Sequence, residues 1–226
     1  MSNYDREIGN FRRGRNSKTA SSGKTFLIVT EGEETEPQYL EGLRDRLKLS
    51  TIEILQAKGT DPMTLVKEAI DLRTQRRKEA RKASSEVLAF DEVWCVLDSE
   101  IETKEKESVL KQALDLAKRE KINVALSRPC FEYWLLLHET YTTKSFQDYE
   151  ATKRELRRYY PEYEKNAVPT GSLIPKIPQA VLHARRVREE HLKSSTLSPA
   201  TDMDQLVGAL NDSARPHLQM EIPLCP

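Results

Sequence analysis

The sequence predicts an α/β protein: a parallel four-stranded sheet flanked by helices, followed by a helical C-terminal extension. Two observations predict it. Strand-like and helix-like segments alternate four times between residues 26 and 138, the pattern of crossover connections onto a parallel sheet. One of the strand-like runs, EVWCVLD (92–98), is apolar almost without a break, as expected of a strand covered on both faces.

The elements follow in order. FLIVT (26–30) is the first strand. A helix runs from about Glu36 to Lys48, with Leu40, Leu43 and Leu47 at helical spacing and Pro37 in the first turn, where its missing N–H is no loss. TIEIL (51–55) alternates and is β-branched, so it reads as a second strand. Asp61 and Pro62 are an N-cap and an N1 residue, opening a helix that extends to about Ala83. After the third strand a helix spans about 104–120, with Val109, Leu110, Ala113, Leu114 and Ala117 on one face. INVALS (122–127) is the fourth strand, and Pro129 opens an apolar helix, CFEYWLLLH.

Three regions result. Residues 1–24 are polar and basic and are expected to be disordered. Residues 25–140 form the α/β domain, and 141–226 the mainly helical extension. Within the extension, a short helix is expected in YTTKSFQDYEATKRELRRYY and a loop in PEYEKNAVPTGSLIPKIP. Helices are expected over 178–192 and from Asp202 to Leu210, with RPHLQMEIPLCP as a loosely held tail.

Composition narrows the function classes. Charged residues make up 32% of the chain, and no apolar run approaches the ~20 residues of a membrane span. The first residues lack the apolar core of a secretory signal. The three cysteines are far apart and form no CxxC pair, which argues against zinc and disulfides and for a cytoplasmic protein. SGKT (22–25) echoes the end of a phosphate-binding loop, but Lys18 stands where glycine is needed and the motif precedes a strand. Net charge is zero, yet arginines cluster in 71–82, 153–160 and 183–193. Such patches permit phosphate contacts, and solvated helix faces explain them as readily.

The chemistry-bearing residues are acidic and sit at strand ends. Glu31 ends the first strand, and Asp98 ends the third. If the chain stays extended past Asp98, Glu100 and Glu102 face the same way. Ligands of such sheets bind beyond the carboxyl ends of the strands. Packed carboxylates raise one another's pKa values unless a cation is present, and an oxygen-only set suits Mg²⁺ or Mn²⁺. Glu33, Glu34 and Glu36 are explained by the positive end of the following helix, Glu36 being a possible support to the site. Glu132 interrupts an apolar, aromatic stretch, which makes it a further ligand, a base or an arginine partner. Ser127 is either a helix cap or a phosphate contact. His138 reads as a packed or capping residue. Tyr159 and Tyr160, beside arginines, suit either base stacking or core packing.

FLIVTEGEETEPQYLEGLR, VWCVLDSE, ALSRPCFEYWLLLH and LSPATDMDQLVGAL occur in this order. Together they resemble the RloB family, a Toprim-like group of bacterial restriction and abortive-infection loci. The resemblance spans about 26–211. It implies that Glu31 is the glutamate after the first strand and that Asp98 begins the second motif. That motif reads Asp98-Ser99-Glu100 where the Toprim pattern has Asp-x-Asp, so the third ligand has a longer arm.

The expected function is a Mg²⁺- or Mn²⁺-dependent nuclease acting in anti-phage defence with a separate ATPase, since this chain has no ATPase motif. Glu31, Asp98 and Glu100 would bind the metal, and Glu132 would join them in catalysis. Arg73, Arg76, Arg77 and Arg128 would hold the nucleic acid, DNA or RNA. Homo-oligomerisation stays open. The other reading is a non-catalytic subunit that binds nucleic acid or regulates an ATPase.

Overall fold

The computed structural model describes residues 23–59, 61–84, 89–99, 103–194 and 198–223. The expected disorder of 1–24 and the assignment of Glu100 therefore fall, wholly or almost so, outside the described residues. Along the chain lie β1 (Phe26–Thr30), α1 (Thr35–Leu47), β2 (Ile52–Gln56), α2 (Pro62–Lys82), β3 (Glu92–Asp98), α3 (Lys104–Glu120) and β4 (Asn123–Arg128). They are followed by α4 (Glu132–Leu137), α5 (Tyr149–Leu156), α6 (Thr170–Leu173), α7 (Ile177–Ser194), β5 (Ala200–Thr201) and α8 (Met203–Ser213).

The sheet has five strands in the order β2-β1-β3-β4-β5. Four are parallel, as the alternating pattern predicts. The fifth is a correction to the four-stranded expectation: Ala200 and Thr201 pair antiparallel with Arg128 and Ser127. Two residues give no periodicity to read, and this strand exists because β4 offers it an open edge.

Each face of the sheet carries its own core. Leu27, Val29, Val93, Cys95 and Leu97 pack with Leu65, Val66 and Ala69 of α2 and with Leu110, Ala113 and Ala117 of α3. Phe26, Ile28, Trp94 and Val96 point the other way, toward Tyr39, Leu40 and Leu43 of α1, and that cluster continues through α4, α7 and α8. Thus α1 covers one face and α2 and α3 the other. Moving from β1 out to β2, and then back past β1 to β3, requires crossovers on opposite faces if both are right-handed. The gap between β1 and β3 is the point where the connections diverge, which is where such sheets bind ligands.

Helix ends follow local chemistry. Asp61 accepts from the Thr64 amide at 3.0 Å, with Pro62 at N1, as the sequence predicts. Thr103 caps α3 in the same way, through the Lys106 amide at 3.3 Å. The stretch expected to be a loop after Pro161 contains α6 and a short 3₁₀ turn, Ile174–Lys176, leading straight into α7.

The C-terminal stretch is held more firmly than its composition suggests. Asn211 clamps the Met220 backbone from both sides, accepting its N–H at 2.7 Å and donating to its carbonyl at 3.0 Å. Arg46 reaches the Leu218 carbonyl, and Arg185 reaches that of Pro223. One side-chain amide here substitutes for a strand partner, a pairing that sequence pattern does not reveal.

His138 is fully buried, as a packed residue. Its Nδ1 lies 3.0 Å from the Trp134 carbonyl and its Nε2 lies 3.0 Å from the Tyr39 hydroxyl. A carbonyl only accepts, so Nδ1 carries the proton and Nε2 accepts from Tyr39. Burial pulls the imidazole down to about 4. The unfolded chain gains this proton near pH 6.5 and the folded one only near 4, so stability is lost as pH falls across that interval. The contribution is on the order of 3 kcal/mol when complete. Urea titrations in EDTA between pH 7 and 4.5 should show a shallower acid loss in His138→Gln than in the wild type. Equal slopes would remove His138 as the cause.

Candidate functional site

Strand alternation decides which face Asp98 takes. Trp94 and Val96 face α1 and α4, so Asp98, two residues further on, faces them as well. Glu31 leaves β1 beside it. The Glu31 amide donates to the Val96 carbonyl at 3.2 Å, continuing the ladder, and its carboxylate accepts the Asp98 N–H at 3.1 Å. The two strand-end acids named from sequence are thus brought together, one fixing the other's backbone.

Two further carboxylates face Asp98. Glu36, in the first turn of α1, is 6% exposed, and Glu132, in the first turn of α4, is 2% exposed. Glu33 and Glu34 are exposed, as a helix approach predicts. Glu36 departs from that expectation: it turns inward. Gly32 makes this possible, because a Cβ at position 32 would run into the Glu36 carboxylate.

The electrostatics record the crowding. Burial, followed by repulsion from Glu36, Glu132 and Glu31, holds Asp98 well above the usual carboxylate range. Burial also raises Glu36, with Glu132 adding to it and local backbone amides opposing. Asp98 Oδ1 is buried without a hydrogen-bond partner. Glu132 accepts from the Tyr163 hydroxyl at 2.8 Å. Burial would lower the Lys165 ammonium, yet Glu132, Tyr149, Glu36 and Asp98 hold it above the ordinary lysine value.

Lys165 and Tyr163 were missed in the sequence, where PEYEK reads only as a loop. The loop is held by its main chain: the Thr35 hydroxyl and the Gln38 side-chain amide donate to the Lys165 carbonyl at 3.2 and 3.3 Å. The Lys165 ammonium lies 4.2 Å from the centre of the Tyr149 ring. EGEETE therefore resolves residue by residue: Glu31 fixes Asp98, Gly32 leaves room, Thr35 holds the lysine loop and Glu36 joins the acids.

Among the described residues, no group of three or more His, Cys, Asp or Glu is arranged to hold a metal ion as it stands. The donor set nevertheless suits a hard divalent cation. It is oxygen-only, its central Asp98 has an unpartnered buried oxygen, and Asp98 and Glu36 are pushed toward protonation when nothing balances them.

Other sequence-derived residues lie elsewhere. Ser127 is fully buried, and its hydroxyl sits 2.9 Å from that of Thr201, so it ties β5 to β4 and neither caps α4 nor meets solvent. Arg73 pairs with Glu120, and Arg76 with Glu53, beneath Phe90. Both are buried, and both partners stand toward the amino end of the sheet, away from Glu31 and Asp98. The guanidinium groups that the sequence offers to nucleic acid at these two positions are taken up by carboxylates of the fold. Arg77 is exposed on the same stretch of α2. Lys24 of SGKT likewise pairs at that end, with Glu92. Tyr160 packs against the core, while Tyr159 is 44% exposed. Arg128 ends β4, half-buried beside a cleft against α7.

Fold and site together define an α/β protein with a carboxylate cluster at the switch point of a mostly parallel sheet. A family model described as RloB-like protein matches residues 26–210, and the chain belongs to that family. No curated protein and no solved structure matches it. No helix among the described residues is long and apolar enough to cross a membrane.

Two outcomes test these assignments. Glu36→Gln should raise the stability of the metal-free protein at pH 7.5 by about 1 kcal/mol, or roughly 2–4 °C in melting temperature. No gain would mean that Glu36 is not repelled. Arg76→Ala should lose about 3 kcal/mol by stranding Glu53, with nucleic-acid binding as in the wild type.

Proposed function

We propose that this protein is a Mg²⁺- or Mn²⁺-dependent, Toprim-like nuclease that hydrolyses phosphodiester bonds in anti-phage defence, together with a separate ATPase. The observation that carries the reading is Asp98: an acid at the switch point with a buried, unpartnered oxygen, facing Glu36, Glu132 and Glu31. Buried like charges without compensation destabilise a fold, and they are retained where a cation completes them. Membership of the RloB-like family supports the same reading.

In this proposal Glu31, Asp98 and Glu36 hold the ion, with Glu100 a further candidate, and Glu132 is oriented by the Tyr163 hydroxyl. A divalent ion bound there would supply Lewis-acid stabilisation of the phosphate and a water of lowered pKa. The chain's own residues set the frame. Glu31 fixes the Asp98 backbone, α1 and α4 present their acids from one side, and the Lys165 loop presents an ammonium from the extension. Lys165 is on the exposed side of the cluster, where it can neutralise a phosphate oxygen.

The second reading, a non-catalytic subunit that binds nucleic acid or regulates an ATPase, draws on one observation: the described carboxylates are not yet arranged as a metal site. Cleavage assays separate the two. Single-stranded and duplex DNA and RNA are offered in Mg²⁺ or Mn²⁺, with and without a candidate partner ATPase. Cleavage should disappear in EDTA and fall by about 100-fold or more in Asp98→Asn and Glu31→Gln. Lys165→Ala should reduce it while leaving the thermal shift produced by Mn²⁺ in place. Cleavage unchanged in both acid variants would sink the assigned site.

A further inference from the structure

A second feature lies one strand away, at the β4–β5 edge. A cleft of about 520 Å³ opens there between the sheet and α7. That is within the usual size of small-molecule sites. Leu126, Val187 and Leu192 form apolar wall, and Arg128, Arg188, His191 and Asp202 supply polar groups, the Asp202 carboxylate lying 3.8 Å from the Arg188 guanidinium. Leu192 is 82% exposed at the rim, where a large apolar side chain meets water.

The two arginines differ. Arg188 is fixed, with Asp204 and the Thr201 carbonyl as partners. Its charge is balanced within the fold. The Arg128 side chain makes no hydrogen bond or close ion pair with any described residue, although the residue is half-buried. Burial lowers its guanidinium, and the charges of Asp202, in the same cleft, and of Glu107 oppose this without a hydrogen bond. A guanidinium partly removed from water and lacking a contact partner is a ready anion receptor.

We propose that this cleft binds a nucleoside monophosphate unit, with Arg128 on the phosphate and the apolar wall against the base. The shape argues for that class. A bare phosphate leaves the apolar wall wet, and an uncharged aromatic leaves Arg128 unpaired. Position argues for it as well: Ser127, the neighbour of Arg128, is paired in register with Asp98. The same ligand chemistry comes from two sources, a free mononucleotide or one residue of a strand, and binding does not depend on cleavage.

Calorimetry on the full chain in EDTA tests this, using AMP, GMP, CMP and UMP, adenosine, inorganic phosphate, and short DNA and RNA oligonucleotides. Saturable binding of at least one monophosphate or oligonucleotide is expected, with adenosine and inorganic phosphate weaker by about tenfold or more. Arg128→Ala should weaken binding by about tenfold or more, Arg128→Lys by less, and Lys111→Ala, on the exposed side of α3, not at all. Leu192→Asp, at an exposed position where folding is not at stake, should also weaken it. An oligonucleotide that binds more tightly than any mononucleotide, and depends on Arg128, marks a strand subsite. A mononucleotide that binds at least as tightly marks a site for free nucleotide. Absence of saturable binding in the wild type, or affinity unchanged in Arg128→Ala and Leu192→Asp, overturns the proposal.

Discussion

Asp98, Glu36 and Glu132 are buried against one another, and the local structure is arranged around that repulsion. Each acid stands at the end of an element whose remainder is deeply packed: β3 between two helical layers, α1 over β1, and α4 in the core. The surrounding apolar contacts hold the acids in place although the charges drive them apart. Cations and dipoles supply partial relief: Lys165 outside, the Tyr163 hydroxyl on Glu132, and the amides at the start of α1 on Glu36. The divalent ion of the proposed function would complete the balance, as a proton does.

The topology explains why this happens at one place. Reversal of direction between β1 and β3 opens the crevice, and α1 and α4 enter it with their first turns. A carboxylate in a first turn is favoured by the helix dipole, so each of Glu36 and Glu132 is locally acceptable. The conflict arises only in the assembled sheet. His138 is the neutral counterpart in the same core, a polar ring satisfied by Tyr39 and Trp134.

The sheet was legible because its signals are periodic and local. EVWCVLD occupies β3 residue for residue, and Asp61-Pro62 starts α2 as its chemistry dictates. Glu31 and Asp98 were legible for the same reason, since strand ends can be read from hydrophobic runs. Glu36 was legible only as a helix-start residue with a possible supporting role, because a first-turn glutamate looks the same in sequence whether it faces water or turns inward. The distinction rests on Gly32, whose missing Cβ leaves the space. Lys165 and Tyr163 carry no periodic signal and reach the site only through tertiary packing. Arg73 and Arg76 looked like a phosphate patch because composition does not show that Glu120 and Glu53 are already opposite them.

The loop bearing Lys165 is gripped through its carbonyl oxygen, and the side chain adds its contact with the Tyr149 ring. Every amino acid has that oxygen. Thr35 and Gln38 would therefore hold the loop equally well whatever residue stood at 165. The position is mechanically independent of its chemistry, so the charge presented to the acids can be exchanged without rebuilding the scaffold. A fold with such a socket can change what it does at the cluster by altering one exposed side chain, while the buried acids stay as they are.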